Sequence, residues 1–478
     1  SKINAGENLK YCCTTLVTDM SELFMNNTSI ITQLRRWDTS NVTNMKRMFY
    51  NAVNYKSDPI WDWDVSSVTN MEEMFSGASN FKGYDLYGGI REWDVSSVTN
   101  MREMFWQAVK FNEPIGNWDV SSVTNMREMF GNAEIFNQDI GDWDVSSVTT
   151  MQGMFKNADK FNQNLSDWDV SKVTSFKKMF LSDAGAAGVP NSVVFNNGEV
   201  GNNSTNPLNN WDVSSATDME KMFSGQMAFN QDVGDWDISN VNTLHRIFNK
   251  TKFNQDLNDW DTSNVKIFSG VFYNNQSFNN GEVGNNSTNP LTWDVSLGTT
   301  FENMFYLATD FNQDLCSWRF REGDVNLDSM FEFAQLFNQN LSCWDISNVT
   351  SLKEMFQAAA SFNNGEEPYA DNQPLTWDTS NVTNMYGLFY RGIGTAPPFN
   401  QDISCWDVSN VTNMSNFSAG MNFNSTMDLS NWCVENLPSR PGNFGSGSMQ
   451  PPIWGTCPTT DRVSLTTNDS DNIIVNYN

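Results

Sequence analysis

Histidine is nearly missing from this chain: His245 is the only one in 478 residues. That leaves little room for catalytic triads, imidazole acid–base pairs or the usual zinc sites. Basic residues are scarce as well, with 28 Lys+Arg against 56 Asp+Glu and a formal net charge of −28. Nucleic-acid binders gain affinity by neutralising phosphates, so this balance excludes that class and argues against docking on anionic lipid. No run of about eighteen apolar residues occurs, so no transmembrane segment is expected. The C-x-x-C spacing of zinc sites and the D-x-D-x-D-G loop of calcium sites are both missing. The chain opens on Ser1-Lys2-Ile3 in place of Met, as expected of a removed leader or of a piece of a longer protein. Only 18% of residues are charged while 39% are hydrophobic and 13% aromatic, which rules out charge-driven disorder.

What the sequence does have is repetition. Trp37, Trp63, Trp93, Trp118, Trp143, Trp168, Trp211, Trp236, Trp260, Trp293, Trp318, Trp344, Trp377, Trp406 and Trp432 mark fifteen starts of one unit, most often 25 residues apart. Such a period belongs to stacked repeats. Ile115, Trp118 and Val120 follow the L-x-x-L-x-L spacing of a leucine-rich repeat, and Trp and Val two apart share one face of a strand. Val98, Met101, Met104, Phe105 and Ala108 then recur at the spacing of a short helix, with the methionines as core filler. Thr69 with Glu72, and Thr217 with Glu220, match a capping box. An F-N-Q-D corner follows, whose Asn column (Asn112, Asn137, Asn162, Asn230, Asn254, Asn312 and Asn338) is placed to satisfy backbone groups. The expected fold class is therefore an α/β solenoid, leucine-rich-repeat-like, with about fifteen strand-plus-short-helix turns in a single elongated domain. The expected divisions are an N-terminal cap over 1–36, repeats over 37–431, a C-terminal cap over 432–458 and a tail over 459–478.

The units WDVSSVTNMREMF (93–105) and FNQDIGDWD (136–144) resemble the BspA-like, mycoplasma-lipoprotein type of surface-protein repeat, over about Thr18 to Cys457. The resemblance implies a leucine-rich-repeat-like fold on a secreted or cell-surface protein, adhesion as the usual role, and no catalytic residues. Trp318 departs from the pattern, being followed by Arg319-Phe320-Arg321.

Asp follows thirteen of the fifteen tryptophans. Carboxylates at about 4.8 Å in adjacent turns repel by roughly 1 kcal/mol in water. Either the Ser two residues on offsets this locally, as in an Asx turn, or the row holds calcium, with Asp94, Asp119 and Asp144 as the metal candidates. Beyond calcium no cofactor is expected. Cys316 and Cys343 sit just before Trp in successive turns and are expected to pair, as are Cys433 and Cys457 around the last coil. Cys405 competes for Cys433, while Cys12 and Cys13 stay unassigned. Such bonds need an oxidising compartment. N-x-S/T triplets at Asn41, Asn203, Asn249, Asn286, Asn348, Asn381, Asn410 and Asn424 mostly come with the repeat.

Three insertions precede Trp211, Trp293 and Trp377. The first two carry the same string, FNNGEVGNNSTNPL, at 195–208 and 278–291, and the third spans 362–375. They fall three turns apart and should project from one edge, with Asn197, Glu199, Asn203, Asn280, Glu282, Asn286, Asn364 and Glu366 as partner-binding residues. The expected function is an extracellular or cell-surface, non-enzymatic interaction or adhesion protein binding a protein or glycan. The alternative is a self-assembling structural subunit of a surface layer or filament, to which the tail over 463–477 would donate a strand or add a further domain. A glycosidase built on paired carboxylates is set aside, because a column of Asp is what a repeat produces.

Overall fold

The computed structural model describes residues 12–29, 34–56, 60–84, 88–183, 195–201, 203, 205–367, 371, 373–391, 399–418, 422–423, 427–447, 450–458, 464–467 and 473–476. Within 126–133 the backbone N–H groups alternate between two destinations. Met129, Gly131 and Ala133 donate to the carbonyl three residues back, at 3.2, 3.0 and 3.0 Å. Met126, Glu128, Phe130 and Asn132 donate instead to Thr150, Gln152, Met154 and Lys156 of the next coil. Glu128 and Asn132 take left-handed φ values of 51° and 57°. Each such residue costs about 1–2 kcal/mol and stops an α-helix from propagating. The compensation is a ladder between coils that uses every second amide.

The expected strand-plus-helix solenoid, and with it the leucine-rich-repeat-like turn, is therefore wrong. The described residues contain no α-helix, only two single 3₁₀ turns (Leu34–Arg36 and Ile90–Glu92) and four short strands. Val98, Met101, Met104, Phe105 and Ala108 are all buried as the helical spacing requires, but overlapping turns bury the same positions. The expected strand fails for a related reason: Trp118 N–H donates to Ile115 O at 3.1 Å, so I-x-x-W closes a turn. Coils meet instead in single parallel bridges at the residue after V-T (A-T before Asp218), from Asp19 through Asn44, Asn70, Asn100, Asn125, Thr150 and Ser175 to Asp218. No capping box forms either. Thr69 gives both N–H and hydroxyl to Thr43 O, while Glu72 N–H goes to Asn70 Oδ1. Thr217 donates in the same way to Thr174 O, and Glu220 N–H goes to Asp218 Oδ1.

One continuous hydrophobic core runs from Met20 to Phe444. Its aromatic columns stack: Phe105 lies 3.9 Å from Phe111 in its own coil and 5.7 Å from Phe130 in the next, and Trp211 lies 6.2 Å from Trp236. A buried indole N–H needs an acceptor. From Trp63 to Trp406 each Nε1–H of the tryptophans that start the repeats donates at 2.6–3.2 Å to the carbonyl of the Ile, Leu or Val three residues before the preceding one. The ladder already includes 18–26, inside the stretch expected as the N-terminal cap, where Glu22 and Asn26 hold the left-handed positions. At the other end β1 (Asn422–Phe423) pairs in parallel with β2 (Ser446–Gly447). In the tail β3 (Ser464–Thr467) pairs antiparallel with β4 (Ile473–Asn476), so these strands serve each other. The rest of the tail and Asn424 lie outside the described residues.

Candidate functional site

The corner after each Phe is held by asparagine. Asn112, Asn137, Asn162, Asn196, Asn230, Asn254, Asn279, Asn312, Asn338, Asn363 and Asn400 form one ladder, each Oδ1 accepting the next residue's backbone N–H at 2.7–2.9 Å. The three insertions grow from this ladder, since Phe195, Phe278 and Phe362 each precede a rung. Asn162, Asn254 and Asn338 donate Nδ2–H to the carbonyls of Glu199, Glu282 and Glu366 at 2.9, 2.8 and 2.9 Å. Gly198, Gly281 and Gly365 turn the chain there at φ 85°, 84° and 87°.

The eight residues expected to meet a partner divide into two groups. Asn197, Asn280 and Asn364 are fully buried. Their Oδ1 atoms accept the N–H of Leu165, Leu257 and Leu341 at 2.7, 3.0 and 2.8 Å, and their Nδ2 groups brace Asn206, Asn289 and Gln373 across the loop. They hold the loops in shape and are closed to a partner. Asn203 and Asn286 are exposed, while Glu199, Glu282 and Glu366 are half-buried. The carboxylates of Glu199 and Glu282 accept from Thr205 and Thr288 of their own loops. Two strongly exposed side chains of these loops are apolar: Val200 is 83% exposed and Val283 78%. Nothing in the polar loop composition singled out these two valines.

The Asp row is served locally. Asp94 and Asp119 Oδ1 each accept both the hydroxyl (2.6 Å) and the N–H of Ser96 and Ser121, and Asp144 accepts Ser146 N–H at 3.0 Å. The serine hydroxyl, then its N–H, holds the Asp94 and Asp119 carboxyls below the usual range. Among the described residues the one cluster close enough to share an ion is Cys433, Glu435 and Cys457, and its two cysteines are joined to each other. Cys316–Cys343 is also a disulfide, whereas Cys12, Cys13 and Cys405 are exposed thiols.

A cavity of about 450 Å³ crosses four successive coils, with Lys156, Lys178, Asp183, Lys221, Arg246 and Lys250 as its charged lining. Lys178, Lys221 and Arg246 occupy the same left-handed position of successive coils, at φ 58°, 57° and 54°. Arg246 lies over the Tyr273 ring at 5.2 Å, and Lys221 Nζ is 3.7 Å from Glu220. Among the described residues Lys156, Lys178 and Lys250 have no ion pair, although outer charges elsewhere pair across coils, as in Arg47–Glu73 and Lys177–Glu220 at 2.9 and 2.6 Å. Beside the cavity His245 Nδ1 contacts Ser269 Oγ at 3.0 Å, and burial together with Lys221 and Arg246 holds its imidazole below the usual range. Aligning the coils on the apolar residues that flank each position (Phe176 and Met179, Met219 and Met222, Leu244 and Ile247) would have shown these three cations in one column.

Five successive stretches of the chain, residues 2–88, 84–188, 191–292, 281–373 and 367–445, match the model of a family described as Mycoplasma protein of unknown function, DUF285. No curated protein and no solved structure matches the chain.

Proposed function

The chain belongs to this Mycoplasma repeat family of unknown function, and from that premise we propose that it is a non-enzymatic interaction protein, working at or outside the cell surface and binding a protein or glycan partner along its three inserted loops. The observation that carries this reading is the seating of all three loops on one asparagine ladder, three coils apart. Loops fixed at regular intervals on a rigid frame present equivalent contacts, and equivalent weak contacts gain avidity. The exposed Val200 and Val283 add an apolar point to two of them. Two disulfides favour an oxidising location, and the BspA-like resemblance supports adhesion. Trimming all three loops to the length of F-N-Q-D-I-G is expected to abolish adherence to epithelial-cell and mucin surfaces while circular dichroism stays unchanged. Undiminished adherence of the folded variant overturns the reading. Filaments in electron micrographs of the purified protein would replace it with that of a self-assembling surface subunit.

A further inference from the structure

We propose that the cavity over Lys178, Lys221 and Arg246 binds an acidic saccharide, a sugar unit bearing a carboxylate. The left-handed column that carries these residues reads Glu73, Glu103, Glu128 and Gly153 before them and Gly270 after. Here alone three cations follow one another, in a chain whose net charge is −28. Successive coils set these three positions side by side along one edge of the cavity, so like charges gather there. Facing them, Asp183 lines the cavity, Asp159 accepts from the lining Ser182, and Glu220 stands beside Lys221 but is also paired with Lys177, so five lining cations confront three carboxylates. An anion offsets the excess.

The second observation concerns hydroxyl groups. Asn249, only 9% exposed, lines the cavity and donates Nδ2–H to Ser224 Oγ at 2.8 Å. Its Oδ1 is buried with no hydrogen-bond partner. A buried acceptor left unmade costs about 1–3 kcal/mol, which a turn of the Asn249 amide toward a ligand donor recovers. A carboxylate cannot donate, whereas a sugar acid brings carboxylate and hydroxyls on one small ring. The cavity volume lies within the range of about 300–1,000 Å³ usual for small-ligand sites. None of the loop residues expected to meet a partner lines this cavity.

Calorimetric titration of the full chain with sodium glucuronate, glucose and inorganic phosphate tests this. One glucuronate per chain is expected, with glucose and phosphate each at least tenfold weaker. Raising salt from about 0.05 to 0.5 M shortens the screening length from about 14 to 4 Å and is expected to weaken glucuronate binding several-fold. Lys178→Asn with Lys221→Asn removes two charges while keeping a residue that tolerates left-handed φ, and at least a tenfold loss is expected. Lys156→Gln, outside the left-handed positions, is expected to weaken binding about threefold if the double variant fails to fold. No glucuronate binding, phosphate binding as tight as glucuronate, or affinity indifferent to the foldable variants overturns the proposal. Adherence lost on loop trimming with glucuronate binding retained, or the reverse, separates this site from the loops.

Discussion

At residue 113 glutamate stands where Gln138 and Gln163 stand in the following coils, and the exchange has a pH consequence. The Glu113 side chain is 2% exposed, with Arg91 Nε 3.9 Å away. Burial above all, with help from Glu92 and against Arg91, pushes its carboxyl up to about 7. Unfolded, the group titrates near its ordinary value of about 4.3. Between these values the folded chain keeps a proton that the unfolded chain has released. Stability is therefore greatest below about pH 4.3 for this group and falls as pH rises toward 7. Glu113→Gln is expected to remove that slope and to stabilise the protein by roughly 1–3 kcal/mol at pH 8. Urea denaturation at pH 5 and pH 8 measures it, and an unchanged difference between the two pH values would contradict the assignment.

The element that replaces the expected helix makes an opposite prediction from a helix at an exposed position. Gln107 has φ 56° and donates its N–H to Gly131 O of the next coil at 2.8 Å. In a helix Gln107→Gly would cost about 1 kcal/mol. In the left-handed position it relieves strain, and a gain of about 0.5–1 kcal/mol in chemical denaturation is expected. Asn254 shows how closely the corner is tied. Its Oδ1 accepts both Asn279 and Gly281 N–H, at 2.8 and 3.0 Å, and its Nδ2 holds the Glu282 carbonyl. Asn254→Ala is expected to cost about 2–4 kcal/mol and to speed amide exchange in 279–284 above that of the equivalent 196–201.

Across the whole molecule each coil contacts its neighbours, so stability accumulates along the stack. Cys316–Cys343 ties two successive coils across 27 residues. In the chain-entropy account that link contributes about 3–4 kcal/mol, so Cys316→Ser with Cys343→Ser is expected to lower the denaturation midpoint. Mass spectrometry checks the pairing directly: alkylation should modify Cys12, Cys13 and Cys405 before reduction and all seven cysteines after it. Modification of Cys316 without reductant would break the assignment.

Much of this molecule was legible in the residues because a repeat reports its own neighbours. Aligning Trp with Trp placed Cys316 beside Cys343, Asn112 beneath Asn137, and Val98, Met101 and Phe105 inside. Side-chain burial follows from apolar spacing alone, so those readings needed no backbone. The backbone was another matter. Val-x-x-Met-x-x-Met-Phe describes a helical face and a run of turns equally well, and the difference lies in whether Glu128 N–H bonds within its coil or to Gln152 O across the gap. That acceptor becomes available only when the next coil is in place, and its bond offsets the left-handed φ that local propensity opposes. The same holds for binding. The loops were visible as insertions, but the closure of Asn197 and Asn280 inside them, and the cavity that Lys178, Lys221 and Arg246 line, came only from stacking, which sets side by side residues that the chain keeps 23 or more apart.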